Sequence, residues 1–285
     1  MALACDDCVN GTIHKGEPAG TEELLHGLNT YIIGNRTTPK AIIVLYSDIF
    51  GLPLPNNKLI ADAYAASNPS YLVYLPDFFD GDPAPLTLAD TLLPVDAAKQ
   101  SKLKLYTGIL TAAPGFLMWM RRHKAGPSDK ACQEFLGKLR RATLGDGLKV
   151  GIAGFCWGGK YALRAGLEGS MIEISGEKVP LVDAAVGLHP SHVAVPADVE
   201  TLVVPTSFGW GVEDSGVKFE QKAEIEALQE RVRKEGRKVP EMEHRVYTPG
   251  RHGFAVRGNP EDPAERKALE DSEKQVLEWF GRWLL

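Results

Sequence analysis

The sequence predicts an α/β fold, a single doubly wound domain on a mostly parallel sheet, and three observations carry that expectation. Apolar runs of strand length alternate with helical patterns along the 285-residue chain. Some of those runs are continuous rather than alternating, as in Lys40–Ser47, Lys-Ala-Ile-Ile-Val-Leu-Tyr-Ser, which is how a strand covered on both faces reads. No internal repeat and no shift of composition divides the chain, so one domain over residues 28–285 is expected, preceded by an arm over 1–27.

Composition bounds the function class. Hydrophobic residues at 44% and charged residues at 24% are ordinary for a globular protein. A net charge of −5 argues against non-specific nucleic-acid or anionic-membrane binding. No apolar run reaches the ~18 residues that span a bilayer. The N-terminal Met-Ala-Leu-Ala-Cys-Asp-Asp has neither a basic start nor a long apolar core and does not read as a secretory signal. The cysteines, Cys5, Cys8, Cys132 and Cys156, make no disulfide framework in a chain of this length, so a reducing, cytoplasmic setting is expected.

Taken in order, residues 1–27 are polar and carry Cys5-x-x-Cys8 and His14. With no second C-x-x-C, this reads as surface thiols rather than a zinc or redox site. Strands are expected at Leu28–Gly34, Lys40–Ser47 and Tyr71–Pro76, with a helix at Asn57–Ala66 between the last two. Residues 77–96 are rich in proline and turn formers and suit a loop beside a site. Helical patterns cover Ala97–His123 and Ser128–Thr143, separated by Gly126-Pro127. Further strands are expected at Lys149–Gly154, Val182–Leu188, Leu202–Phe208 and His244–Tyr247. Helices are expected at Trp157–Gly166, Lys218–Glu235 and Pro263–Leu285. The last helix carries Leu269, Val276, Trp279, Phe280 and Trp283 at helical spacing, a stripe for the core or a dimer seam.

The central stretch is Lys149-Val-Gly-Ile-Ala-Gly-Phe-Cys-Trp-Gly-Gly-Lys160. Gly154 and Gly158 flank Cys156 two residues away on each side, the G-x-S-x-G nucleophile elbow with cysteine in place of serine. A nucleophile on a sharp strand-to-helix turn needs glycine at those positions, because side chains there collide with the neighbouring strand and helix. The positive end of the following helix favours thiolate over thiol. The plainer reading of Cys156 is a buried structural cysteine in a Gly-rich turn.

A thiol nucleophile needs a base, and histidine serves near neutral pH. His252, in Pro-Gly-Arg-His-Gly-Phe after the last expected strand, is the first candidate. His189 and His192, in Leu-His-Pro-Ser-His, are the second. Asp214 suits the carboxylate that orients the base, with its neighbour Glu213 as the alternative. The order Cys156, Asp214, His252 is the nucleophile–acid–base order of α/β-hydrolases. The oxyanion donors are then the backbone N–H groups of Trp157 and, from the loop after Lys40–Ser47, Ile49. Among aromatics near the expected mouth, Phe50, Trp210 and Phe254 are candidates to line a substrate pocket, with Phe78, Phe79 and Trp157 nearby.

Gly154-Phe-Cys156-Trp-Gly-Gly159, Asp48-Ile-Phe-Gly51 and His252-Gly-Phe254 together resemble the dienelactone hydrolases (carboxymethylenebutenolidases), cysteine-dependent members of the α/β-hydrolase fold. The likeness runs from about residue 28 to the end. It implies a Cys156–His252–Asp214 triad and cofactor-free hydrolysis of lactones or related esters. It also places Asp48 where bacterial members carry a glutamate that interacts with the thiol, one methylene longer. Members that bind dienelactone hold its carboxylate with arginines, and Arg257 matches one of them. Between Arg36 and Arg121 the chain offers only lysines such as Lys99, Lys102 and Lys104, which cannot form a bidentate clamp. A different acid or a neutral substrate fits that departure.

The reading is therefore a hydrolase of a lactone or activated ester, with no cofactor and no metal, acting on a small molecule as a monomer or homodimer. A general carboxylesterase or thioesterase on the same triad is the nearest rival. A non-catalytic thiol sensor on the same fold is another.

Overall fold

The structure, a computed structural model, describes residues 16–86, 111 and 114–285. The Cys5-x-x-Cys8 pair, His14 and the lysines Lys99, Lys102 and Lys104 lie outside the described residues, as does most of the helix expected over Ala97–His123.

The strands are β1 (Thr21–Leu25), β2 (Leu28–Gly34), β3 (Ala41–Tyr46), β4 (Tyr71–Pro76), β5 (Lys149–Phe155), β6 (Ile172–Ile174), β7 (Glu177–Val179), β8 (Ala184–Leu188), β9 (Thr206–Gly211) and β10 (Met242–Tyr247). The helices are α1 (Pro55–Ser67), α2 (Ala125–Thr143), α3 (Trp157–Ala165), α4 (Glu220–Lys234), α5 (Phe254–Arg257) and α6 (Pro263–Leu284). An 8-stranded sheet runs in the order β1-β2-β4-β3-β5-β8-β9-β10. β1 pairs antiparallel with β2 and β2 with β4, and every other neighbouring pair is parallel. This is the expected mostly parallel α/β sheet.

Alternation along the strands divides the core. Ile43, Leu45, Phe155 and Val186 face α1, α5 and α6, where Tyr64, Val256, Trp279 and Phe280 are buried with them. Ile42, Val44, Val150 and Ile152 face α2 and α3. Phe208 and Trp210 pack under Ile225, Leu228 and Val232 of α4. The apolar stripe of α6 is thus core.

Several differences from the sequence reading have local causes. The sheet starts at Thr21 rather than Leu28, because His26 and Gly27, both at positive φ, turn a tight hairpin. Ser175-Gly176 does the same between β6 and β7. The strand expected at Leu202–Phe208 is shifted to Thr206–Gly211, since Pro205 has no N–H for a central ladder. Upstream of it, Leu202 makes an isolated bridge to Leu167. Gly126-Pro127 lies inside the first turn of α2, where a missing N–H costs nothing, instead of separating two helices.

Candidate active site

The parallel strands deliver their C-terminal ends to one edge, and the candidate residues collect there. β5 ends at Phe155 and α3 starts at Trp157, leaving Cys156 alone at the junction at φ 53° and ψ −113°. A side-chain-bearing residue there is strained by roughly 1–3 kcal/mol, and hydrogen bonds hold it. The Cys156 N–H points to Leu188 O at 3.2 Å and His189 Nδ1 at 3.1 Å. Its carbonyl accepts from Gly159 N at 3.1 Å and Ser191 N at 2.9 Å. A Cβ on Gly154 would overlap the Gly158 carbonyl, and one on Gly158 would overlap that of Tyr46, so both glycines are sterically required.

His252, on the loop between β10 and α5, places Nε2 3.1 Å from Cys156 Sγ. Its Nδ1 lies 2.8 Å from Asp214 Oδ1. That oxygen also accepts from the N–H groups of Gly216 at 2.8 Å and Val217 at 2.9 Å, which fixes the carboxylate on the loop after β9. Glu213 turns away to an ion pair with Arg251 at 3.4 Å. His192 is exposed, while His189 is buried and touches the elbow through its ring nitrogen.

Burial alone would raise the Cys156 thiol, but the facing His252 outweighs it and brings the thiol below its ordinary value. Burial likewise opposes charge on His252, yet the Cys156 sulfur and the Asp214 carboxylate push it up to about 10. The opposed shifts favour a thiolate facing an imidazolium over the neutral pair.

Asp48, after β3, is buried. Its Oδ1 accepts from Phe50 N and Asn57 Nδ2, each at 3.1 Å, and its Oδ2 lies 3.7 Å from Arg257 Nε. No hydrogen bond joins it to the sulfur among the described residues; its charge acts through space and raises the thiol. Burial raises Asp48 itself, against the pull of Arg257. Arg257 is only 3% exposed, with its guanidinium 5.4 Å over the Phe50 ring. Phe254 packs against Tyr247 and His189.

Trp210 is not brought to the site. It lies within β9 with its side chain in the α4 core, stacked on Phe208, its Nε1 donating to His244 Nδ1 at 3.0 Å. His244, on β10, is half-buried in that stack, and burial lowers it to about 4. Trp157 and Phe79, with ring centroids 4.8 Å apart, and then Trp119 form the aromatic wall beside the elbow. Gly158 N donates to Ser47 O at 3.2 Å and fastens the start of α3 to the loop that carries Ile49. Neither the Trp157 nor the Ile49 N–H meets a backbone acceptor among the described residues.

The sequence reading missed one residue at the centre. Ser191 Oγ lies 3.3 Å from Cys156 Sγ and 3.4 Å from His252 Nε2. The Leu-His-Pro-Ser-His motif after β8 was the available signal, but it pointed to its histidines.

The sequence pattern of the Dienelactone hydrolase family matches residues 28–284. A hydrolase of Aspergillus violaceofuscus, pyvD, is 28% identical over 97% of this chain and 96% of its own length. Dienlactone hydrolase 1 of Gibberella moniliformis is 27% identical over 97% of this chain and 93% of its own. Among solved structures, a dienelactone hydrolase from Anabaena variabilis superposes with a TM-score of 0.54 at 16% identity, covering 95% of this chain and 100% of its own, a likeness of fold.

Proposed function

This chain belongs to the dienelactone hydrolase family, and on that premise we propose that it is a cysteine-dependent hydrolase of small lactones or activated esters. The observation that carries the reading is the line of contacts from Cys156 Sγ to His252 Nε2 at 3.1 Å and from His252 Nδ1 to Asp214 Oδ1 at 2.8 Å. In this reading the thiolate attacks the ester carbonyl, and the N–H groups of Trp157 and Ile49 hold the oxyanion. Collapse breaks the carbonyl–oxygen bond, and the leaving alkoxide takes the Nε2 proton. Neutral His252 then removes a proton from water, whose oxygen attacks the thioester. Expulsion of the thiolate releases the carboxylic acid and restores the ion pair. Thiolate is a good nucleophile and a good leaving group, so weakly basic leaving groups such as enolates and phenolates suit it, and amides do not.

Arg257 is the candidate partner for a substrate carboxylate, because its Nε and Nη1 have no hydrogen-bond partner among the described residues. Its burial against Asp48 favours a second substrate class, neutral carboxylic esters and thioesters. Turnover of small lactones, aryl esters and acyl-thioesters by the wild type and Cys156→Ala tests both readings. Cys156→Ala is expected to abolish turnover with the fold intact. Wild-type rates in that variant reject the nucleophile, and the preferred substrate separates the classes.

A further inference from the structure

We propose that Ser191 is a fourth catalytic residue of this centre, donating its hydroxyl proton to the Cys156 thiolate, and that the His189–His192 loop is the clasp that fixes it there. The proposal rests on the thiolate–imidazolium reading above. Sγ, Nε2 and Ser191 Oγ form a triangle with sides of 3.1, 3.3 and 3.4 Å. A thiolate only accepts and an imidazolium only donates, whereas a hydroxyl has one proton and two lone pairs. Within that triangle one arrangement satisfies all three groups: the hydroxyl donates to sulfur, and its oxygen takes a share of the Nε2–H.

The loop is built to hold this position. His189 and His192, on either side of Pro190-Ser191, both sit at left-handed φ, 38° and 56°. Ser191 N donates to Cys156 O at 2.9 Å, and Cys156 N donates to His189 Nδ1 at 3.1 Å, so the loop and the elbow are bonded in both directions. Pro190 seats against Gly159, where an added Cβ would come within 2.8 Å of the proline Cα. With Nδ1 accepting, the His189 ring carries its proton on Nε2 and is neutral, consistent with the strong depression that burial imposes on it. Neutrality matters because the ring lies 5.2 Å, centroid to centroid, from His252, where a second cation would oppose the imidazolium.

During turnover the hydroxyl loses its anionic acceptor when the sulfur–carbon bond forms. It regains that acceptor as the thioester breaks and charge returns to sulfur. Ser191 therefore assists both the resting thiolate and its expulsion.

The test is the pH dependence of iodoacetamide alkylation at Cys156 on the full chain, read by mass on the Cys156 peptide, with melting temperature measured in parallel. Ser191→Thr and Ser191→Val have nearly the same shape and differ by the hydroxyl. Thr should keep the wild-type midpoint. Val, like Ser191→Ala, should raise it by about one pH unit, alkylating about tenfold more slowly below it. A wild-type midpoint in Val and Ala, whatever their stability, overturns the proposal and leaves Ser191 a packing residue. His252→Ala separates the proposal from the reading beneath it. If it too leaves the midpoint unchanged, the ion-pair reading itself fails.

Discussion

Asp214 Oδ1 accepts from His252 Nδ1 at 2.8 Å while holding the N–H groups of Gly216 and Val217, so one oxygen both fixes its own loop and aims the imidazole. Asp214→Asn keeps the shape but replaces the charge that supports the imidazolium and presents an amide that can select the wrong tautomer. We expect kcat on an activated ester to fall roughly ten-thousandfold, by analogy with serine triads. Glu213→Gln, next in sequence but paired outward to Arg251, should stay within about twofold. Equal losses in the two variants would break the assignment of the acid.

The opposed shifts of Cys156 and His252 set the pH profile. The thiol, held below its ordinary value by the facing His252, ionises at lower pH than a free cysteine and regains its proton as pH falls through that depressed value. His252 keeps its proton until pH rises through about 10. Alkylation should therefore drop on the acid side and stay high in alkali. Hydrolysis should drop on both sides, because above about 10 the leaving group loses its proton donor. Stopped assays of both reactions across the same buffers check the divergence, and parallel profiles would contradict it.

The elbow is a steric prediction. A Cβ on Gly158 would press on the carbonyls of Tyr46 and Ser47, at the seam where Gly158 N bonds Ser47 O. Gly158→Ala should cost about 1–3 kcal/mol by overpacking and reduce turnover by moving the Trp157 N–H. Gly126→Ala, in the first turn of α2 with nothing within 4 Å of the added Cβ, should leave activity unchanged and hold or slightly raise stability. Urea melts of the two variants compare them directly.

Much of the site was legible in the chain. The β5–Cys156–α3 junction could be read because its glycines are forced by backbone contact. His252 and Asp214 could be read because parallel strands bring the loops at their C-terminal ends to one edge. Trp210 was misplaced for a register reason. Pro205 delays β9, so Trp210 falls inside the strand, where period two sends it with Phe208 toward α4. Ser191 had no pattern to announce it. It reaches the sulfur through two left-handed residues that are not glycine, a conformation that composition does not signal. Trp210→Phe tests its placement: about 1 kcal/mol of stability should go with the lost bond to His244, and hydrolysis should be unchanged.

The buried Asp48–Arg257 pair ties stability to reactivity with opposite signs. Arg257→Met leaves the Asp48 carboxylate buried without its cation, a loss of about 3–5 kcal/mol when such a pair is broken from one side. Asp48→Asn removes a negative charge whose field raises the thiol. That variant should therefore alkylate faster than wild type at acid pH. Adding Asp48→Asn to Arg257→Met should recover part of the lost stability, because the stranded charge is gone. Denaturant melts of the four proteins give the coupling directly. Additive losses would show that the 3.7 Å approach carries no interaction, and Arg257 would then matter through its packing over Phe50 alone.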